Sequence, residues 1–180
     1  MSVKRILLCT IFLFYGIFAF SQTLPDGYGG VKLGMSLDEA KKQLLKNSDF
    51  GYSGDRDVSL LPGAGRTLVE TNASGGRGSE YLTQCYFQFY NEELYIITIN
   101  INTQKTDYYT MFTTLCNKYG QPVKLDPQMA VWENSEIILQ LERPLSVKYI
   151  YKETFDMLKN AATVQKSYEE QNLEDFLSEF

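Results

Sequence analysis

A chain of 180 residues with a formal charge of −5, no histidine and three cysteines excludes several function classes at the outset. Without histidine there is no His-based catalytic triad and no histidine metal ligand, and the excess of acid argues against binding a phosphate backbone, which requires a basic face to displace counterions. The aromatic content, thirteen Tyr, eleven Phe and one Trp, suits strands and protein interfaces.

Residues 1–21 read as a secretory signal peptide. Lys4 and Arg5 precede an apolar run over residues 6–20, and Ala19 and Ser21 are the small side chains required for a cut between Ser21 and Gln22. The run contains Thr10 and Gly16 and falls short of the roughly 20 residues that span hydrocarbon. No cysteine stands beside the cut to carry a lipid. The mature chain, with a charge of −7 once Lys4 and Arg5 leave, is therefore expected to be periplasmic or secreted, with no stable membrane span. Cys85 and Cys116 remain in it, and an oxidising compartment permits them to pair. A bridge between them would close a loop of about 31 residues and contribute roughly 3–4 kcal/mol in the chain-entropy model. The alternative is two buried thiols on core-facing positions.

Along the chain, a lead-in rich in Pro and Gly over residues 24–30 is followed by a short apolar segment at 31–33. Ser36 with Glu39 three residues on forms a capping box, and Leu37, Ala40, Leu44 and Leu45 then recur at helical spacing as far as Asn47, predicting a one-faced helix. Residues 50–79 are broken by glycines and Pro62, with short alternating pieces at 57–61 and 67–71 that predict two short strands.

The strongest strand signal covers residues 81–101. Cys85, Phe87 and Phe89 alternate with Gln84, Gln88 and Tyr90, and Asn91, Glu92 and Glu93 mark a turn. The second arm is apolar on both faces, with Leu94 and Ile96 on one side and Tyr95, Ile97, Ile99 and Ile101 on the other, as in a central strand covered twice over. The turn lacks the Asn-Gly pair that fixes a two-residue loop, so the register stays open, and a slip of one residue would reverse every facing.

A second helix is expected from about residue 106 to 119, with Tyr108, Met111, Phe112, Leu115 and Tyr119 on one stripe and Gly120 as its stop. Strands follow at 129–133, 137–141 and 145–151. From Lys152, the residues Phe155, Leu158, Ala161, Ala162 and Tyr168 predict a long final helix, trailing into an acidic, aromatic end at 173–180. The order helix, strands, helix, strands means an α+β fold: an antiparallel sheet with helices packed on one face and a C-terminal helix. One domain is expected over residues 22–151, with candidate half-units at 30–101 and 106–151, followed by the helix and tail at 152–180. The half-units look alike around two turns, Phe89, Tyr90, Asn91, Glu92, Glu93, Leu94 beside Trp132, Glu133, Asn134, Ser135, Glu136, Ile137.

Gly30, Val31, Leu33, Gly34, Met35, Ser36 and the helix after them, with Lys118, Tyr119, Gly120, Gln121 and Pro122 ahead of a Trp-bearing hairpin, give a chain that resembles the β-lactamase-inhibitor-protein-like fold. That group includes small outer-membrane assembly lipoproteins of the SmpA/OmlA type. The resemblance covers most of residues 30–151 and implies units that place a helical segment before an antiparallel sheet. It carries over no functional residues. The chain departs from the lipoproteins in lacking their lipid-bearing cysteine, and its glycine-rich insert has no counterpart.

The search for chemistry yields mostly exclusions. Cys85 and Cys116 are too far apart for a Cys-x-x-Cys redox motif, and two cysteines do not complete a structural zinc site. Asp55 and Asp57 begin like a calcium loop, but Leu60 stands where glycine is required and Arg66 where a chelating Glu belongs. Gly75, Gly76, Arg77 and Gly78 precede a strand rather than a helix and read as a loop, not a phosphate cradle. Ser146 and Lys148 share a strand face in the manner of a Ser-Lys pair, and Glu92, Glu93, Glu133 and Glu136 lie in hairpin turns; both sets read as solvated surface, which leaves a carboxylate hydrolase the weakest of the readings. No cofactor and no enzymatic activity are implied. Tyr86, Tyr90 and Tyr95 are the candidate binding residues, since tyrosine joins an apolar face to a hydrogen-bonding tip, and Trp132 reads as core. The expected function is an exported, non-enzymatic module that binds another envelope protein. The alternative is a small-ligand or lipid carrier whose groove lies between the apolar second face of residues 94–101 and the C-terminal helix.

Overall fold

The structure, a computed structural model, describes residues 23–61 and 65–177; the expected signal peptide and its cut lie outside them. A two-residue hairpin, β1 (Gly27–Tyr28) and β2 (Val31–Lys32), leads into α1 (Leu37–Lys46). Ser36 caps α1 in the expected manner. Its Oγ accepts the Glu39 backbone N–H, the Glu39 carboxylate accepts the Ser36 N–H at 3.0 Å, and Ala40 and Leu44 are buried. After two single-turn helices at Ser48–Phe50 and Asp55–Asp57 come β3 (Val58–Leu60), β4 (Arg66–Asn72), β5 (Leu82–Tyr90) and β6 (Glu93–Ile101). The second half repeats the plan: α2 (Tyr108–Tyr119), capped by Asp107, then β7 (Lys124–Leu125), β8 (Met129–Glu133), β9 (Ile137–Glu142) and β10 (Ser146–Tyr151). The final helix, α3, spans Lys152–Leu177.

All strands from β3 to β10 form one antiparallel sheet in the order β3-β4-β5-β6-β10-β9-β8-β7. Each half of the chain is thus a helix followed by a four-strand meander, and the two meanders meet where β6 pairs with β10, from Asn100 opposite Ser146 to Ile96 opposite Ile150. Counted outward from that seam, β5 corresponds to β9 and β6 to β10. The Asn91 turn therefore corresponds to the loop between β9 and β10 and not, as the sequence likeness suggests, to the Asn134 turn between β8 and β9.

The β5–β6 turn is a two-residue loop with Asn91 at φ 49° and Glu92 at φ 67°, the left-handed geometry that matches strand twist. A glutamate there is strained, and its neighbours hold it. The Asn91 N–H donates to the Gly65 carbonyl at 2.7 Å, and the Glu92 carbonyl accepts the Leu37 N–H at 3.1 Å. Gly65 leaves room for this contact, since a Cβ there would stand 2.2 Å from Asn91 Oδ1.

Just beyond the turn the ladder carries a bulge. Gln88 pairs with Ile96 and Phe89 with Leu94, so Tyr95 is an extra residue. This corrects the expected facings. Leu94 joins Ile97 and Ile99 in the core on the first face, while Tyr95 joins Ile96 on the second.

Both α1 and α2 cover the first face. Phe50 packs edge-on to Phe87, with centroids 5.6 Å apart, under α1. Trp132, read from sequence as core, is buried beneath α2, its indole N–H donating to the Gly120 carbonyl at 2.8 Å and Phe112 packed against it. The second face is covered in part by α3, where Phe155 and Leu158 pack on Tyr95, Ile96, Val131, Ile138 and Ile150. No helix among the described residues is long and apolar enough to cross a membrane.

Of the two readings open for Cys85 and Cys116, the structure has the unbridged one: both are free thiols, Cys85 buried and Cys116 partly so. Cys116 rides on α2, whose Phe112 packs on Trp132 of β8 and whose Tyr108 hydroxyl donates to the Leu141 carbonyl of β9, whereas Cys85 is buried on β5. Burial pushes the Cys85 thiol up to about 11.

Candidate functional site

Alternation on β5 separates two populations. Cys85, Phe87 and Phe89 point into the first core, while Gln84, Tyr86, Gln88 and Tyr90 point to the second face, with Gln84 exposed and the other three half-buried. On β4 their neighbours are Arg66 opposite Tyr90, Leu68 opposite Gln88 and Glu70 opposite Tyr86. The hydrophobic cluster under α3 reaches Tyr90 at its margin but not Tyr86. The result is a strip of β4 and β5 in which amide, phenol and aliphatic groups stand side by side, beyond the covered cluster.

All three candidate tyrosines therefore share the second face, in different roles. The Tyr86 hydroxyl donates to Gln84 Oε1 at 3.0 Å. Tyr95 is only 6 % exposed and its hydroxyl, raised in pKa by burial, donates to Gln88 Oε1 at 3.4 Å. The bulge makes Tyr95 part of the second core, so it supports the strip from beneath instead of offering a contact of its own. Tyr86 and Tyr90 are the accessible pair.

Several of the remaining sequence candidates are engaged structurally. Lys148 is held by Glu142 at 2.6 Å, and Ser146 beside it is buried. Glu133 pairs with Lys152 at 3.5 Å. Asp55 pairs with Lys41 at 2.7 Å, while the Asp57 carboxylate caps the Ser53 N–H. No cluster of three or more acid or thiol side chains suited to a metal occurs among the described residues. The glycine loop docks on the turn at Asp49, where a Cβ at Gly78 would meet the Asp49 carbonyl at 2.4 Å.

The groove expected between the second face and the C-terminal helix is occupied by Phe155 and Leu158. A pocket of about 330 Å³ lies instead on the first face, between α2 and strands β5, β6 and β10. Leu82, Ile99, Val147 and Tyr149 are its buried floor, Met111 and Leu115 its helical wall, and Tyr28, Tyr81 and Lys105 its more exposed rim. Sequence reasoning missed it. Alternation along β10 does put Val147 and Tyr149 on one face, but nothing in the spacing tells how far α2 stands from the sheet.

With this geometry in place, comparison with known proteins gives one match: a family model described as the TP0088 domain matches residues 26–161, about three quarters of the chain. The chain belongs to the TP0088 domain family. The TP0088 match begins one residue ahead of β1 and ends inside α3, so it takes in the whole sheet, both first-face helices, and the Phe155 and Leu158 contacts that close part of the second face. No curated protein and no solved structure matches the chain.

Proposed function

We propose that this TP0088 domain is a non-enzymatic module, exported to the cell envelope, that binds another envelope protein through the β4–β5 strip of its second sheet face. The observation that carries the reading is the position of Tyr86 and Tyr90, half-buried on a face that α3 covers only in part. Their rings offer rigid apolar area, and the Tyr86 hydroxyl is already satisfied by Gln84, so little polar desolvation opposes docking.

The sheet edges favour this mode over strand addition. Edge strands β3 and β7 are three and two residues long, too short to template an added strand. Export is supported by the charged, apolar and small-residue pattern of residues 1–21. The helix-before-meander plan of each half supports the resemblance to the β-lactamase-inhibitor-protein-like fold, and engagement of Lys148 by Glu142 supports a role without catalysis.

The test is crosslinking of a tagged, processed copy in its native host, wild type beside Tyr86→Ala, with the melting temperature of each. One recurrent envelope protein captured by the wild type and lost from a Tyr86→Ala variant of unchanged melting temperature is expected. Equal capture by both overturns the reading.

A further inference from the structure

The floor and helical wall of the pocket beneath α2 are apolar except for the Tyr149 phenol, while Lys105, Thr106, Tyr28 and Tyr81 bring polar atoms to the rest of its lining. Tyr149 is 8 % exposed, yet its hydroxyl makes no hydrogen bond within the described residues. The hydroxyl is not fully enclosed, unlike the unpartnered Tyr52 hydroxyl and Thr71 Oγ1, and since Tyr149 lines the pocket it is a donor that a bound molecule can reach. The Tyr119 and Tyr28 phenols are near it, and burial with these neighbours keeps Tyr149 protonated, hence a donor.

Around this donor, Leu82, Ile99, Val147 and Leu115 supply aliphatic surface, and about 330 Å³ of space falls at the small end of sites that enclose organic ligands. The cation at the rim, Lys105, is engaged with Glu80, so the rim carries no excess positive charge. A carboxylate at the floor would be buried without a counterion, which is costly. A neutral oxygen would not.

We propose that this pocket binds a small, neutral, mostly aliphatic molecule whose carbonyl oxygen accepts a hydrogen bond from the Tyr149 hydroxyl. The site lies on the face opposite the β4–β5 strip, so it stands or falls separately from the proposed protein contact.

Calorimetric titration of the mature protein with methyl octanoate and with octanoate tests it, using wild type, Tyr149→Phe and Met111→Trp. Tyr149→Phe keeps the ring and removes only the hydroxyl, so the fold is retained. The expected results are saturable binding of the ester by wild type, weaker binding of octanoate, roughly tenfold weaker ester binding by Tyr149→Phe, and none by Met111→Trp, whose larger side chain fills the pocket. No saturable ester binding by wild type, an affinity unchanged in Tyr149→Phe, or a preference for octanoate would each overturn the proposal.

Discussion

The two faces of the sheet are built from the same strands but finished differently. On the first, α1 and α2 close over Phe50, Phe87, Phe89, Leu139 and Trp132, all of them buried. On the second, α3 covers the cluster around Ile96 and Ile150 and leaves β4 and β5 presenting Tyr86, Gln88 and Leu68 half-buried. Neighbouring residues of one strand thus face opposite sides: Phe87 is buried in the first core, and Tyr86 beside it is half-buried on the second face. An aromatic residue on a strand acquires its role from the face it is on and from what covers that face, more than from its own chemistry.

The largest expected contrast comes from substituting those two neighbours. Phe87→Ala leaves a cavity in the first core and is expected to cost about 3–5 kcal/mol, whereas Tyr86→Ala is expected to stay within about 0.5 kcal/mol of wild type; urea denaturation of each measures both. Equal losses would erase the distinction between the faces.

A second contrast is set by pH. Cys85 in the first core has its thiol pushed from 9.0 to about 11 by burial. Between those values the native state keeps a proton that the unfolded chain releases, so stability falls as pH rises, by about 2–3 kcal/mol across the window. Denaturation midpoints followed over that range should drop less steeply in Cys85→Ala than in wild type. Parallel curves would contradict the burial of this thiol, and a thiol that failed to alkylate in the unfolded, unreduced chain would restore the bridge.

Smaller still is the closure of the second face. Phe155→Ala removes a partly buried ring from α3 and is expected to cost about 1–2 kcal/mol, with faster amide exchange in α3 than in α1. Smallest is Ser36→Ala, which breaks the capping box of α1 at a cost of about 1 kcal/mol; thermal melts resolve it.

Much of the element order was legible because local rules decided it. The Ser36 cap with Glu39, the alternation of Cys85, Phe87 and Phe89, and the aromatic stripe from Tyr108 to Tyr119 each place an element whose pattern agrees with its burial. What escaped was set by geometry between elements. The bulge at Tyr95 has no sequence signature, yet it moves Leu94 and Tyr95 to opposite faces from those alternation assigns. The Asn91-Glu92 turn adopts left-handed angles without glycine because Gly65 and Leu37 grip it from outside the hairpin. At two residues, β7 was too short to read after Pro122. Of the candidate site, Tyr86 and Tyr90 were readable from alternation, whereas the pocket floor at Tyr149 depends on the spacing between α2 and the sheet, which no single segment encodes.

The most direct test of the division between faces is site-specific photocrosslinking in the native host, with the photoreactive residue at position 86 in one copy and at position 45 in another, since Leu45 on α1 is 64 % exposed on the first-face side. The account predicts that position 86 captures one recurrent envelope protein and position 45 does not. Capture from position 45 alone, or equally from both, would contradict it.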